Sequence, residues 1–350
     1  MNLKNYIVGL TMNFIFELSK EHPTLPKDEV LSCLKAEGIN YNILDSNDDV
    51  LVIESEANCN LIKKISNRLS FTFNICKLLF SCLNSLDEIK NCAFNNPIDI
   101  AGSIAITYKN RSKIVDSQKI VNTLADIYTK GKKVNLISPD FDIHGLITDS
   151  RIYIGVKIAK IDRSQFEKRK VQNRPFFSPI SLHPKLARAL VNLSEIKKDE
   201  TLLDPFCGTG GIILEAGLIG VKTIGSDIEE KMIEGCKKTL DFYKVKNYKL
   251  YHSDIGKIGT YIGKVDSIVT DFPYGRSTTT KGEKKELLYK RAFESMSKLL
   301  KNGGKAVVGL SNKDFISLGE NYFSLIGKHD FRVHSSLIRY FVIYEKELQF

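Results

Sequence analysis

Through the first 159 residues, short apolar stretches alternate with polar ones, and Tyr6 to Leu10, Asp49 to Ile53 and Ile152 to Val156 read as strands. Between them, three segments repeat apolar residues at intervals of three and four and read as helices: Lys27 to Glu37, which follows Pro26, Asn58 to Leu69, and Lys113 to Tyr128. Gly131-Lys132-Lys133 has the make-up of a helix end, with a strand expected over Val134 to Ile137. The pattern is α+β. From Thr201 the rhythm changes to strand, glycine turn, helix, strand. Thr201 to Asp204, Val221 to Gly225, Lys249 to Tyr251, Val265 to Val269 and Gly304 to Gly309 are predicted strands with helical stretches between them. Lys185 to Leu193 is a predicted helix with Leu186, Ala189, Leu190 and Leu193 on one face. This alternation predicts an α/β fold, a doubly wound and mostly parallel sheet, to which Ser335 to Glu345 adds an antiparallel edge hairpin.

The chain has 350 residues, room for two or three domains, and its 43 % hydrophobic and 26 % charged residues are ordinary for a globular protein. The uncharged run Asn5 to Phe16 contains Thr11 and Asn13 and is far short of the ~20 apolar residues that span a bilayer. It also lacks the features of a secretory signal, so no membrane partner and a cytoplasmic location are expected. With 51 Lys and Arg against 41 Asp and Glu, the formal charge is +10, which favours a polyanionic partner, nucleic acid first. The seven cysteines are odd in number with no metal-ligand spacing, so neither a disulfide framework nor a metal site is expected. Basic residues concentrate between Lys160 and Arg174, where a linker is placed over residues 160–180. Lys168, Arg169, Lys170 and Arg174 in this stretch are candidate RNA phosphate contacts.

The chemistry lies in the second half. Asp204-Pro205-Phe206-Cys207-Gly208-Thr209-Gly210-Gly211 sits between a predicted strand and a predicted helix. Glycines there let the backbone approach a ligand closely, and the helix start offers unpaired N–H groups. The segment lacks both the dinucleotide spacing and the Lys-Ser/Thr of a phosphate loop. A carboxylate at the strand end would repel pyrophosphate and suits a cationic group such as the amino group of a methionine moiety, which points to S-adenosylmethionine. Asp227, followed by Ile228, ends the next strand 23 residues on, about where an α/β fold meets ribose hydroxyls. Asp254, followed by Ile255, ends the strand after that, where a carboxylate can accept from the adenine amine. Three acids at three successive strand ends converge on one crevice.

Thr270-Asp271-Phe272-Pro273-Tyr274-Gly275-Arg276 ends the fourth strand beside that crevice. With it, the chain from about Arg174 onward resembles the Rossmann-fold amino-methyltransferases, whose signature is Asp/Asn-Pro-Pro-Tyr/Phe. It is most similar to the tRNA guanine-N2 methyltransferases that carry an N-terminal THUMP domain. Arg174 to Pro179, His183 to Asn192, Asp204 to Gly210 and Asp271 to Arg276 resemble the guanosine-10 branch, the archaeal dimethyltransferase type. The resemblance implies a ferredoxin-like subdomain over 1–55, a THUMP RNA-binding domain over 56–159 and a methyltransferase domain over 181–350. It further implies S-adenosylmethionine as cofactor, tRNA as partner, a monomer, a cofactor-pocket role for His183 and an RNA contact for Arg276. One departure is Phe272, which stands where the family usually has Pro, so the stiffness of that ring is lost while the carbonyl remains.

A purine amine is a poor nucleophile, because its lone pair is delocalised into the ring, so a catalyst must hold its hydrogens and aim the nitrogen. Asp271 and the carbonyl of Phe272 can accept those hydrogens, Pro273 shapes the turn, and Tyr274 can stack on the extruded base. Guanine shows N1–H beside its N2 amine, two donors in a row, whereas adenine and cytosine place an acceptor there. An ionised Asp271 therefore selects guanine. The rival readings are methylation of guanosine 6 by the sister branch, which typically carries Asn at the position of Asp271, and a catalytically silent RNA-binding subunit.

Overall fold

A computed structural model describes residues 11–98, 101–178, 181–273, 283–334 and 337–348, and two seven-stranded mixed sheets organise them. Each sheet belongs to its own compact unit. The first unit is Met1–Val30, Gly38–Asn67 and Thr72–Ile161; the second is Leu31–Glu37, Arg68–Phe71 and Asp162–Phe350.

In the first unit the strands are β1 (Met12–Leu18), β2 (Asn42–Ser46), β3 (Val50–Ser55), β4 (Thr72–Leu83), β5 (Ile104–Asn110), β6 (Phe141–Ile147) and β7 (Arg151–Lys160). Their order is β2-β3-β1-β4-β7-β6-β5, all neighbours antiparallel except β5 and β6. The helices are α1 (Leu25–Ala36), of which only the residues up to Val30 belong to this unit, α2 (Cys59–Ile65), α3 (Leu86–Asn95) and α4 (Ser117–Tyr128). Helices α3 and α4 bury Ile89, Ala93, Ile120 and Leu124 against Phe80, Ile104 and Ile154. The expected helix Asn58 to Leu69 is shorter, with Asn58 as its N-cap accepting from the Leu61 N–H. The expected strand Val134 to Ile137 is a turn instead. Val134 makes one bridge to Ile104, and the Asn135 side chain then accepts from the N–H groups of Ile137 and Ser138, closing an Asx turn that competes with extension. The expected strand Tyr6 to Leu10 lies outside the described residues.

The second unit contains α5 (Ser164–Lys168), α6 (Pro184–Leu193), β8 (Thr201–Asp204), α7 (Gly211–Gly217), β9 (Lys222–Asp227), α8 (Glu230–Phe242), β10 (Tyr248–His252) and β11 (Val265–Asp271). It continues with α9 (Lys285–Leu299), β12 (Leu300–Leu310), α10 (Ile316–Glu320), β13 (Ser324–His334) and β14 (Leu337–Glu345). Strands β10-β9-β8-β11-β12 are parallel, and β14 runs antiparallel between β12 and β13. The edge hairpin thus starts at Ser324 rather than Ser335. Its second arm is an interior strand, which is why Phe341, Val342, Ile343 and Tyr344 are all buried with no polar alternation. Helix α9 packs Leu288, Ala292, Phe293 and Met296 on Leu203, Ile268 and Val308 of the sheet. Parallel direction brings the carboxyl ends of β8, β9, β10 and β11 to one rim, with the order reversing beside β8, which is where an open α/β sheet forms its crevice. Among the described residues, no helix is long and apolar enough to cross a membrane.

Candidate active site

A cleft at that rim is walled by the four strand ends. Asp204, Phe206, Gly208, Asp227, Ile228, Asp254, Ile255, Asp271, Phe272 and Pro273 all line it. Asp204 closes β8 and is 1 % exposed; its Oδ1 accepts from Thr270 Oγ1 at 2.7 Å and from the Phe206 N–H at 3.2 Å. Burial pushes its pKa up to about 7, against the pull of those two hydrogen bonds, with the neighbouring carboxylates Asp227 and Asp271 adding to the rise.

The glycine loop follows with Gly208 at φ 48° and Gly210, the N-cap of α7, at φ 82°, both in the left-handed region. A Cβ on Gly208 would meet nothing within 4 Å, so the loop backbone is open there, while one on Gly210 would strike Cys236 Sγ at 2.5 Å. Asp227 fixes the loop: its Oδ2 accepts from the Gly208 N–H and its Oδ1 from the Glu229 N–H, each at 2.9 Å. Burial raises the Asp227 pKa.

Asp254 is engaged on the opposite wall. Arg291 of α9 pairs with both of its oxygens and also reaches Glu283 Oε2 at 2.9 Å. Burial opposes ionisation of Asp254, but the bonds from Arg291 and from the Gly256 N–H outweigh it and hold the carboxyl below the usual range.

Asp271 ends β11, where Arg339 Nη1 of β14 donates to its Oδ2 at 2.9 Å. Burial pushes its pKa up to about 6, with Arg339 opposing. Phe272 is fully buried, its ring edge against Phe206 at 5.2 Å and Tyr289 at 4.7 Å, with Phe293 at 5.2 Å. Its N–H donates to the Gly309 carbonyl, and the Tyr289 hydroxyl donates to the Pro273 carbonyl at 2.9 Å. Packing and hydrogen bonds therefore supply the rigidity that a proline ring would have given this turn. Tyr274 and Arg276 lie outside the described residues.

Four expected site residues are placed elsewhere: Gly210 packs against Cys236 and is not part of the cleft wall, and the other three are His183, Arg169 and Arg174. His183 caps α6, its Nδ1 accepting from the Lys185 N–H at 3.2 Å and its Nε2 3.2 Å from Glu167 Oε1, so it does not line the cleft. Arg169 is buried and donates through Nε and Nη2 to Glu215 at 2.7 and 3.0 Å, which removes it from phosphate contact. Arg174 is buried too and donates to the Arg169 carbonyl at 2.9 Å. The stretch from Asp162 is grouped with the second unit. Of its basic residues, Lys168 is exposed and Lys170 pairs with Glu167.

The cleft suits S-adenosylmethionine on the chemistry of its walls. Asp204, Asp227 and Asp271 give acceptors for an ammonium, hydroxyls and an amine, and the open backbone at Gly208 lets a ligand lie against the loop.

Residues 172–340 match the RMKL-like methyltransferase domain family. A tRNA (guanine(10)-N2)-dimethyltransferase of Methanothermobacter thermautotrophicus is 34 % identical over 344 residues, covering 96 % of this chain and 100 % of the relative. The chain belongs to the tRNA (guanine(10)-N2)-dimethyltransferase family. A second member, from Pyrococcus abyssi, is 42 % identical over 236 residues, 67 % of this chain and 70 % of the relative. The fold is shared with TrmN from Thermus thermophilus, whose crystal structure superposes with a TM-score of 0.55 at 19 % identity, covering 95 % of this chain and 99 % of that one. In this family member, sequence reasoning missed Thr270, Arg291 and Arg339. Thr270 adjoins Asp271 and could have been flagged as an inward polar residue in an apolar strand. Arg291 and Arg339 carry no local signal, because only the fold brings α9 and β14 to the cleft.

Proposed function

We propose that this chain is a cytoplasmic enzyme that methylates the exocyclic N2 of guanosine 10 in tRNA, twice in succession, with S-adenosylmethionine as methyl donor. The observation that carries it is Asp271, a carboxylate paired with Arg339 in the wall of the cleft that Asp204 and Asp227 also line. When bound, the cofactor supplies an electrophilic methyl on a sulfonium. Asp204 holds the ammonium of its methionine end, Asp227 the ribose, and the wall of Asp254 and Ile255 the adenine. Asp271 accepts from N1–H and N2–H of guanine, and the Phe272 carbonyl takes the other N2 hydrogen, since the Pro273 carbonyl is already engaged by Tyr289. Held this way, the nitrogen pyramidalises toward the methyl, and Asp271 takes the released proton. After the first transfer one N2 hydrogen remains for a second round.

Tyr274 stacks on the base and Arg276, Lys168 and Lys170 meet phosphate in this reading, while residues 1–55 and 56–159 form the ferredoxin-like and THUMP parts that capture tRNA. The test is methyl transfer from labelled S-adenosylmethionine to unmodified tRNA transcripts, with guanosine or adenosine at position 10, followed by nucleoside analysis. N2-dimethylguanosine is expected, with label lost on the adenosine transcript. Label retained there would move the target to another nucleotide.

A further inference from the structure

We infer that Arg339 is a positioning residue for methyl transfer, clamping one oxygen of Asp271 and keeping that carboxylate anionic so that it accepts from the two donors of guanine. The inference rests on the reading of Asp271 given above.

The arrangement is built from three adjacent strands. Asp271 ends β11, Gly309 is its register partner on β12, and Arg339 stands on β14, just beyond the pairing of Leu310 with Tyr340. Arg339 is 8 % exposed, and its Nη1 lies 2.9 Å from Asp271 Oδ2. Any Cβ on Gly309 would overlap Asp271 Oδ1, so the carboxylate lies flat across a backbone that only glycine leaves open. The Asp271 side chain keeps 16 % exposure toward the cleft. Among the described residues, the titratable groups acting on it are Arg339 from β14, Asp204 from β8 and Tyr289 from α9, and Gly309 of β12 lies against its Oδ1. Of these, Asp204 disfavours the anion, Tyr289 carries no positive charge, and Arg339 is a cation that favours it. Burial already lifts the Asp271 pKa to about 6 with Arg339 in place. Without the guanidinium the pKa climbs further, and a protonated carboxyl presents a hydrogen to guanine N1–H, donor against donor.

The experiment is kcat/KM for tRNA methylation from pH 5.5 to 9 at saturating S-adenosylmethionine, which holds Asp204 paired with cofactor. It compares wild type, Arg339→Gln, Arg339→Met, Asp271→Asn and the Asp271→Asn/Arg339→Gln double variant, with S-adenosylhomocysteine affinity as the check of folding. The acid limb, near pH 6 in wild type, is expected to move up by about 1–3 pH units in both Arg339 variants, as loss of an adjacent cation requires. Activity then recovers toward wild type at pH 9, and the double variant matches Asp271→Asn alone. An unmoved acid limb, or a pH-independent loss that multiplies with that of Asp271→Asn, overturns the inference. Wild-type activity in Asp271→Asn would instead overturn the role given to Asp271 itself.

Discussion

Asp204 is a buried acid whose pKa, about 7, stands far above the ordinary carboxylate value. Raised by burial, it makes the folded protein favour the protonated form: the stability associated with that proton is fully present below pH 4 and lost as pH rises through 7. An ammonium brought beside it reverses the balance, because the bound state favours the anion. S-adenosylhomocysteine, which carries the same ammonium, should therefore bind more tightly as pH rises from 6 to 8 and release protons on binding near pH 7. Calorimetry in two buffers of different ionisation enthalpy checks this. Asp204→Asn should bind more weakly, with no pH dependence in that window; an unchanged slope in the variant would assign the titration to another group. Phe272 makes a related point at the same scale. Replacing the usual Pro loses a covalent restraint, yet three aromatic partners and the bond to the Gly309 carbonyl hold the turn in its place.

Between elements, α6 and α7 are joined by a buried cluster of one carboxylate and two guanidiniums. Glu215 on α7 is fully buried and takes bonds from Arg169 at 2.7 Å and from Arg188 of α6 at 2.9 Å. Glu215→Gln removes the charge and leaves two buried guanidiniums, a loss of about 3–5 kcal/mol. Thermal and denaturant unfolding should show it, with tRNA phosphate contacts untouched; a variant as stable as wild type would mean that the guanidiniums find other partners. This joint also marks where the sequence stopped being legible. Strands β8 to β11 and the loop after β8 were readable because apolar runs, glycines and acids recur locally. The inward turn of Arg169 and Arg174 was not, since a run of basic residues looks the same whether it faces water or, as Arg169 does, a buried Glu215 46 residues away in the chain. Strand β4, twelve residues long, was missed because its alternation is broken where its pairing with β7 shifts register. The pairs Arg291–Asp254 and Arg339–Asp271 join residues 37 and 68 apart, and no periodicity reports such contacts.

For the whole molecule, the formal charge of +10 acts through the basic side chains that reach water, and the fold decides which those are. Of the four residues of the basic stretch first matched to RNA, Arg169 and Arg174 stabilise the second unit, and Lys168 remains exposed at the end of α5. Each phosphate contact releases condensed counterions, so the slope of log Kd for tRNA against log salt counts contacts. Lys168→Ala should lower that slope by about one and weaken every tRNA to a similar degree, since a phosphate contact carries no sequence information. Arg169→Ala should lower the melting temperature and leave the slope of the remaining folded protein as it was. Filter binding between 50 and 300 mM KCl separates the two variants. If Arg169→Ala changed the slope and Lys168→Ala did not, the RNA would approach from the face where Arg169 is now covered, and the ion pair with Glu215 would have to open when tRNA binds.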